Sequence, residues 1–263
     1  MIHFIVATSS EAKTLIDFYK LKKKKTISNY LIYNNDIVSL TISGIGKINS
    51  AMSITHTFYE FNQQKNNIWI NIGIAGHKKE KIGCIFLVDK IIDDETKKKK
   101  YPFIVDNCQI KQESCVTYNK ENFNYTNNLS DMEASGFFFG CEKYSTKEFI
   151  HSLKIISDNE KEKINFFDKN NINNLIKKKI EIIDIFKRSI FSIWTEFFEK
   201  NNVIENKIES VLANYKLSFS EKLEFKKWLA IYLNSTYNQE DNIIDIKKDF
   251  QTNIKKIKEK LNA

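Results

Sequence analysis

Ser130-Asp131-Met132-Glu133-Ala134-Ser135-Gly136 sets two carboxylates among small residues, directly before the apolar run Phe137, Phe138 and Phe139. The spacing predicts a helix that opens at Asp131 and runs to about Tyr144, with Glu133 at its positive end. Two readings of Glu133 follow. It caps the helix, or, if the opposite helix face is buried, its oxygens accept two hydrogen bonds from a ligand.

Four further stretches flank this one in a fixed order. They are Phe4-Ile5-Val6-Ala7-Thr8-Ser9-Ser10-Glu11, Ser43-Gly44-Ile45-Gly46-Lys47-Ile48-Asn49, Asn71-Ile72-Gly73-Ile74-Ala75-Gly76, and Leu153-Lys154-Ile155-Ile156-Ser157-Asp158. Residues 2–8 read as a buried strand, and Ser9-Ser10-Glu11 as the turn into a helix through Leu15, Ile16 and Phe18. Lys20 to Lys25 reads as a solvated turn, and residues 29–42 as a hairpin turning near Asn34-Asn35, followed by a helix over 48–61. Residues 69–72 form a strand that runs into a turn at Gly73 to Gly76, and residues 82–92 form another with Gly83 at a bulge. A charged loop spans 93–100, a strand 109–117, and a last strand 152–157 ends on Asp158. Strands alternating with helices make an α/β sheet, in which ligands collect at the carboxyl ends of the strands.

Composition narrows the function classes. A chain of 263 residues, 42% of them hydrophobic, buries one substantial core, or a core plus a small second unit. No apolar run is long enough to cross a bilayer and the start lacks a signal-peptide pattern, so a soluble cytoplasmic protein with no membrane partner is expected. Cys84, Cys108, Cys115 and Cys141 have no Cys-x-x-Cys spacing and no interleaved histidines, which points to ordinary buried thiols and to no metal. The formal charge is +8, yet Arg188 is the only arginine among 41 basic residues. Bidentate readout of bases and phosphates prefers arginine, so nucleic acid is disfavoured as a partner. Gly44-Ile45-Gly46 lacks the third glycine of a dinucleotide fingerprint and the Ser/Thr of a P-loop. NAD and ATP are therefore disfavoured, and no cofactor is implied.

Together the five stretches resemble the purine nucleoside phosphorylase and 5'-methylthioadenosine/S-adenosylhomocysteine nucleosidase superfamily, over roughly residues 1–190 and with a shortened middle. The resemblance implies a nucleosidase-like α/β domain over 1–190: a central mixed twisted sheet flanked by helices. Residues 191–263 form an additional all-helical C-terminal extension. In it the pattern predicts a helix over 203–215, a Ser218-x-x-Glu221 capping box opening a helix through Trp228 and Leu233, and a lysine-rich helix over 243–261 with Ile254 and Ile257 on one face. Three roles are open to the extension: packing on the shortened middle, forming a dimer surface, or binding a partner.

The resemblance also assigns roles. It implies hydrolysis of the N-glycosidic bond of a purine nucleoside, of the methylthioadenosine/S-adenosylhomocysteine kind. Asp158, preceded by Ser157, would give a proton to N7 of the base, and desolvation at a strand end favours the protonated carboxyl. Glu133 would hold the ribose hydroxyls, Met132 would pack on the sugar, and Glu11 would take a proton from the attacking water. Gly76 and Ile74 would face the sugar, although the resembled nucleosidases often carry a hydroxyl where Ile74 stands. Tyr118 or Phe123 would stack on the base. Lys154 stands where the nucleosidases often carry arginine and would orient Glu11 or the water. Read without the resemblance, Glu11 is a first-turn glutamate, Asp158 an N-cap and His77 a surface histidine. The family's phosphorylases use arginines near the first strand and after the middle strand; this chain has none in either place, which favours hydrolysis and leaves Lys47 as a candidate phosphate ligand. A phosphate-dependent phosphorylase and a non-catalytic nucleoside-binding module are the alternatives. A homodimer is expected, because relatives commonly complete the site at a dimer surface.

Overall fold

In chain order the elements are β1 (Ile2–Val6), α1 (Ser9–Tyr19), β2 (Lys22–Lys23), β3 (Leu31–Asn34), β4 (Val38–Ile42), α2 (Lys47–Glu60), β5 (Ile68–Gly76), β6 (Ile85–Asp93), β7 (Lys99–Lys100), β8 (Lys111–Thr117), β9 (Leu129–Asp131), α3 (Ala134–Cys141), β10 (Ile150–Asp158), α4 (Lys169–Lys177), α5 (Ile180–Leu212), α6 (Phe219–Ser235) and α7 (Phe250–Leu261). The computed structural model describes residues 1–26, 28–61, 63, 66–105, 110–166, 168–237, 244–245 and 247–261. The chain divides into two compact units, Met1–Ser192 and Ile193–Ala263.

β1 and β10 are buried along their whole lengths, so each needs a partner on both edges and cover on both faces. β1 pairs in parallel with β4 on one side and β5 on the other. β5 pairs in parallel with β10, and β10 is antiparallel to β6. β6 runs parallel to β8, β8 parallel to β9, and β9 returns to β5 through an antiparallel bridge between Ser130 and Gly76. The mixed sheet thus closes a ring of β5, β10, β6, β8 and β9, with β1, β4, β3 and β2 extending from it. Helices cover it, and the all-helical segment follows, as the sequence leads one to expect.

α3 packs on α2, and the core between them and the ring includes Ile54, Phe58, Trp69, Phe86, Val88, Phe137, Phe138 and Ile156. The helices approach so closely that a Cβ on Gly136 would lie 1.9 Å from the Lys47 carbonyl oxygen. Only glycine allows this approach, which brings the segment before α3 alongside the segment before α2.

Several local expectations are corrected. Gly73 to Gly76 is not a turn; it is the second half of β5, held extended by pairing with β10 and β9. Asp131 ends β9 instead of opening the helix, and α3 starts at Ala134. Gly83 lies in the turn before β6 with φ of 87°, while the break in register falls between Val88 and Lys90. The lysine turn contains β2, and the charged loop contains β7. Gln109 and Cys108 lie outside the described residues. Of the other cysteines, Cys115 and Cys141 are buried and free, and Cys84 is free and half-buried.

The helix expected over 203–215 is the later part of a longer one, because α5 runs unbroken from Ile180 to Leu212. The capping box forms: the Ser218 hydroxyl accepts from the Glu221 N–H and the Glu221 carboxylate accepts from the Ser218 N–H. α7 begins at Phe250, later than the expected 243, which lies outside the described residues. Ile204, Ile208, Leu212, Phe225, Leu229, Tyr232, Ile254 and Ile257 make the second unit's own core. No helix among the described residues is long and apolar enough to cross a membrane.

Candidate active site

β1, β4, β5 and β10 all run the same way, so their carboxyl ends open on one side of the sheet. A cavity of about 520 Å³ lies there, a size common for small-molecule pockets. Its wall is formed by Thr8, Ser9, Ser10 and Glu11 after β1, Ile45 after β4, Ile74 to Gly76 of β5, Ser130 to Glu133 at the end of β9, and Ser157 and Asp158 of β10. Glu121, Asn122 and Phe123 from the segment between β8 and β9, and Phe166, Lys169 and Ile172 around the start of α4, also line it. Glu11, Ile74, Gly76, Met132, Glu133, Ser157 and Asp158 are brought together; Tyr118 and Lys154 are not in the wall. The Tyr118 N–H donates to the Asp131 carbonyl at 2.8 Å. Of the two aromatic residues considered for the base, Phe123 is the one that reaches the cavity.

Glu11 serves the helix and the cavity at once. Its Oε2 accepts from the Thr8 N–H at 2.8 Å while its own N–H donates to Thr8 Oγ1, a reciprocal cap. Its Oε1 accepts from the Ile74 N–H at 3.3 Å. The branched side chain of Ile74 offers no hydroxyl, but its backbone fixes the acid. Burial pushes the Glu11 carboxyl above its ordinary range, against the pull of the Lys154 charge and these hydrogen bonds.

Glu133 is the N-cap residue of α3, and its side chain makes no capping bond there. Instead Asp131 caps the turn from the strand end, its Oδ2 accepting from the Ala134 N–H at 2.8 Å. That leaves the Glu133 carboxylate to reach across, where Oε1 accepts from the Gly46 N–H at 2.9 Å. Burial, reinforced by the charges of Asp131 and Glu11 and opposed by Lys154, raises the Glu133 carboxyl to about 7.

Lys154 is placed differently from the expectation. Its fully buried ammonium pairs with Asp131 Oδ2 at 2.7 Å, with both side chains wholly out of water. Burial works against both charges; the Asp131 and Glu133 carboxylates outweigh it and raise Lys154, and Lys154, with bonds from Thr117 and Ala134, holds Asp131 below its usual range. Gly73 supplies the space: a Cβ there would meet Glu11 Oε1 and Lys154 Nζ, each at 3.2 Å. The cation therefore sits behind the cavity floor, between the acids.

Both oxygens of Asp158 are engaged. Oδ1 accepts from the Ser157 hydroxyl at 2.6 Å and Oδ2 from the Tyr125 hydroxyl at 2.7 Å. His77 is buried and not a surface histidine; its Nε2 donates to the Asn127 carbonyl at 2.9 Å, and Nδ1 accepts from the N–H groups of Lys79 and Glu80. Lys47 is committed to Asp93 at 2.8 Å and Glu95 at 3.2 Å.

Sequence reasoning missed the Asp131–Lys154 pair, Tyr125, and the α4 residues. The pair was legible in principle, because a lysine inside Leu153-Lys154-Ile155-Ile156 must find a buried carboxylate. Tyr125 carries no such signal, since its segment has neither helical nor strand periodicity.

No protein-family model matches the sequence, and no curated protein sequence matches it. Solved structures do match the fold. An MTA/SAH nucleosidase aligns with a TM-score of 0.59 and 13% identity over 71% of this chain and 95% of its own. The 5'-methylthioadenosine nucleosidase of Arabidopsis thaliana gives 0.57 and 14% over 70% and 94%. The futalosine hydrolase of Helicobacter pylori gives 0.52 and 14% over 68% and 97%. The chain thus has the fold shared by these nucleosidases and this hydrolase. At such identities the likeness establishes the architecture, and the residues in the cavity must carry the chemistry.

Proposed function

We propose that this protein hydrolyses the N-glycosidic bond of a purine nucleoside resembling methylthioadenosine or S-adenosylhomocysteine. The observation that carries the reading is the convergence of Glu11, Glu133 and Asp158, from three distant parts of the chain, on one nucleoside-sized cavity. The solved nucleosidases of this fold support it.

Cleavage needs an acid for the departing base, a stabiliser for the sugar cation and a base for water. Asp158 supplies the proton to N7, so the base leaves neutral. Glu133 accepts from the ribose 2'- and 3'-hydroxyls and places negative charge beside the developing cation, with Met132 against the sugar. Glu11, whose proton affinity is raised by burial, takes a proton from the water as its oxygen bonds to C1'. The C1'–N bond breaks, the base carries off the proton from Asp158, and the sugar keeps the hydroxyl. Lys154 acts from behind: its charge keeps Asp131 ionised and tempers Glu11 and Glu133.

Phosphorolysis is the weaker reading. It needs fixed cations around a phosphate; Lys47 is held by two carboxylates, and among the described residues lining the cavity Lys169 is the one cation. A homodimer belongs to the proposal and is supported by the exposed Ile45, Ile48 and Met52 beside the cavity rim. Sedimentation of the protein at micromolar concentration checks it; a monomer removes that part. The activity is tested by following free purine from a small nucleoside panel, with and without phosphate. Release without phosphate is expected. Strict phosphate dependence makes the chain a phosphorylase, and tight binding with no turnover makes it a binding module.

A further inference from the structure

Tyr125 holds the carboxyl group that the proposed mechanism assigns to the leaving base. Its hydroxyl donates to Asp158 Oδ2 at 2.7 Å while Ser157 donates to Oδ1, so hydroxyls of the chain itself occupy both oxygens of the proposed acid. The edge of the ring lies against Gly76: a Cβ there would come within 2.8 Å of Tyr125 Cε1 and 2.7 Å of Asp158 Oδ2. Gly76 thus makes room for one flat ring beside the carboxyl group, and the tyrosine ring fills it.

The surrounding chain makes that contact exchangeable. The segment between β8 and β9 has no regular element. Its far end is tied down, with the Lys78 N–H donating to the Thr126 carbonyl and His77 to that of Asn127, both at 2.9 Å. Between Asn119 and Asn124 the ties among the described residues are made by side chains: Asn119 donates to Glu95 at 2.7 Å, the Lys163 ammonium lies 5.2 Å over the Phe123 ring, and Asn122 accepts from the Asn124 N–H within the segment. Tyr125 is half-buried, and its ring meets the exposed Phe123 edge-on at 6.4 Å. The phenol is kept protonated by burial and by Asp158 itself, so it remains a donor across the neutral range.

We infer that Tyr125 is a stand-in for the nucleobase: it holds the Asp158 carboxyl while the cavity is empty and yields that place when a purine enters. This rests on the reading of Asp158 as the group that meets the base. Binding then exchanges the hydrogen bond that Asp158 accepts from Tyr125 for one that it donates to N7 of the base, with a proton taken up from solvent by the carboxylate as the hydroxyl leaves, and affinity is the difference between the two states. A ligand must offer both a flat ring for the space over Gly76 and a hydrogen-bonding edge for Asp158. Tyr125 is in this sense a specificity determinant, because a free sugar cannot make the exchange.

Tyr125→Phe keeps the ring and removes the hydroxyl. Calorimetric titration of the 263-residue protein with adenine is expected to show up to about tenfold tighter binding in the variant, the upper end of what one hydrogen bond contributes. A second readout is the tyrosine ring carbon signals of ¹³C-labelled protein. The Tyr125 signal, assigned by its loss in the variant, is expected to move toward a solvent-exposed position on adding adenine. Equal or weaker adenine binding by Tyr125→Phe, or a Tyr125 signal unmoved at saturation, overturns the inference and leaves the function proposal standing. Adenine binding to neither protein overturns the inference, and overturns the function proposal as well when no purine is released from the nucleoside panel.

Discussion

The wall of the cavity bearing Glu11, Asp131 and Glu133 is fixed by a buried ammonium and backbone N–H groups, with the Thr8 and Thr117 hydroxyls added, whereas the Asp158 carboxylate is held by two hydroxyls and, among the described residues, no cation. The first set of partners cannot leave: Lys154 rises from a strand with neighbours on both sides, and the N–H groups of Ile74, Gly46 and Ala134 belong to the backbone. The second set can, because a serine and a tyrosine hydroxyl rotate away at the cost of one hydrogen bond each. Charge stabilisation is best done by groups that need no reorganisation, while a group that must hand over a proton needs partners that give way. On the proposed mechanism Glu133 and Asp158 fall on either side of that line, while Glu11 exchanges its proton with water from within the rigid wall.

The largest effects should come from the acids themselves. Glu11→Gln and Asp158→Asn are each expected to lower base release by about 10²- to 10⁴-fold with the fold kept, as read by chromatography of the freed base and by circular dichroism. Full activity in either variant removes that residue from the chemistry and erases the contrast between the walls.

The rigid wall is broken most directly at its cation. Lys154→Met leaves Asp131 buried without its counter-charge and should cost about 3–5 kcal/mol in urea unfolding. Adding Asp131→Asn should recover part of that loss, since the uncompensated charge goes with it. A cost no larger than that of a surface substitution would mean that the ion pair does not hold this wall.

Gly136→Ala tests how the wall is assembled, because its Cβ must displace the Lys47 carbonyl. A loss of about 1–3 kcal/mol in the same unfolding assay is expected, the range for overpacking. An unchanged stability would show that α2 and α3 can separate at no cost and that their close approach does not hold this wall.

The smallest effect is in the pH dependence of stability. Burial raises the Glu133 carboxyl from 4.5 to about 7, so the folded chain binds this proton more tightly than the unfolded chain. Its contribution is fully present below the unfolded value and fades as pH rises through about 7. Glu133→Gln should therefore flatten the fall in unfolding free energy between about pH 5 and pH 8 by about 1–2 kcal/mol. An unchanged slope would place the proton elsewhere.

Much of the fold was legible because it rests on local signals. The apolar run of β1, the hairpin of β3 and β4 and the capping box of α6 are written in consecutive residues. The errors were local as well. Gly73 to Gly76 looks like a turn in isolation, and only pairing on both edges makes it a strand. Asp131 reads as a helix opener because aspartate caps helices; in fact it caps α3 from the end of β9, two residues further back than a regular N-cap. Within the candidate site, Glu11, Glu133 and Asp158 stood out by their places in ordered stretches. Tyr125 did not, since nothing in its neighbours marks which way its ring turns.

From sequence alone came the succession of strands and helices, the all-helical tail and the candidate acids, because periodicity, capping and strand length act between near neighbours. The tertiary structure alone decided that Lys154 would neutralise Asp131, that Lys47 would be spent on Asp93 and Glu95, and that Tyr125 would rest on Asp158. Each of those pairings joins residues brought together only when the sheet closes its ring. The free energy of burying a charge or a hydroxyl depends on what then surrounds it.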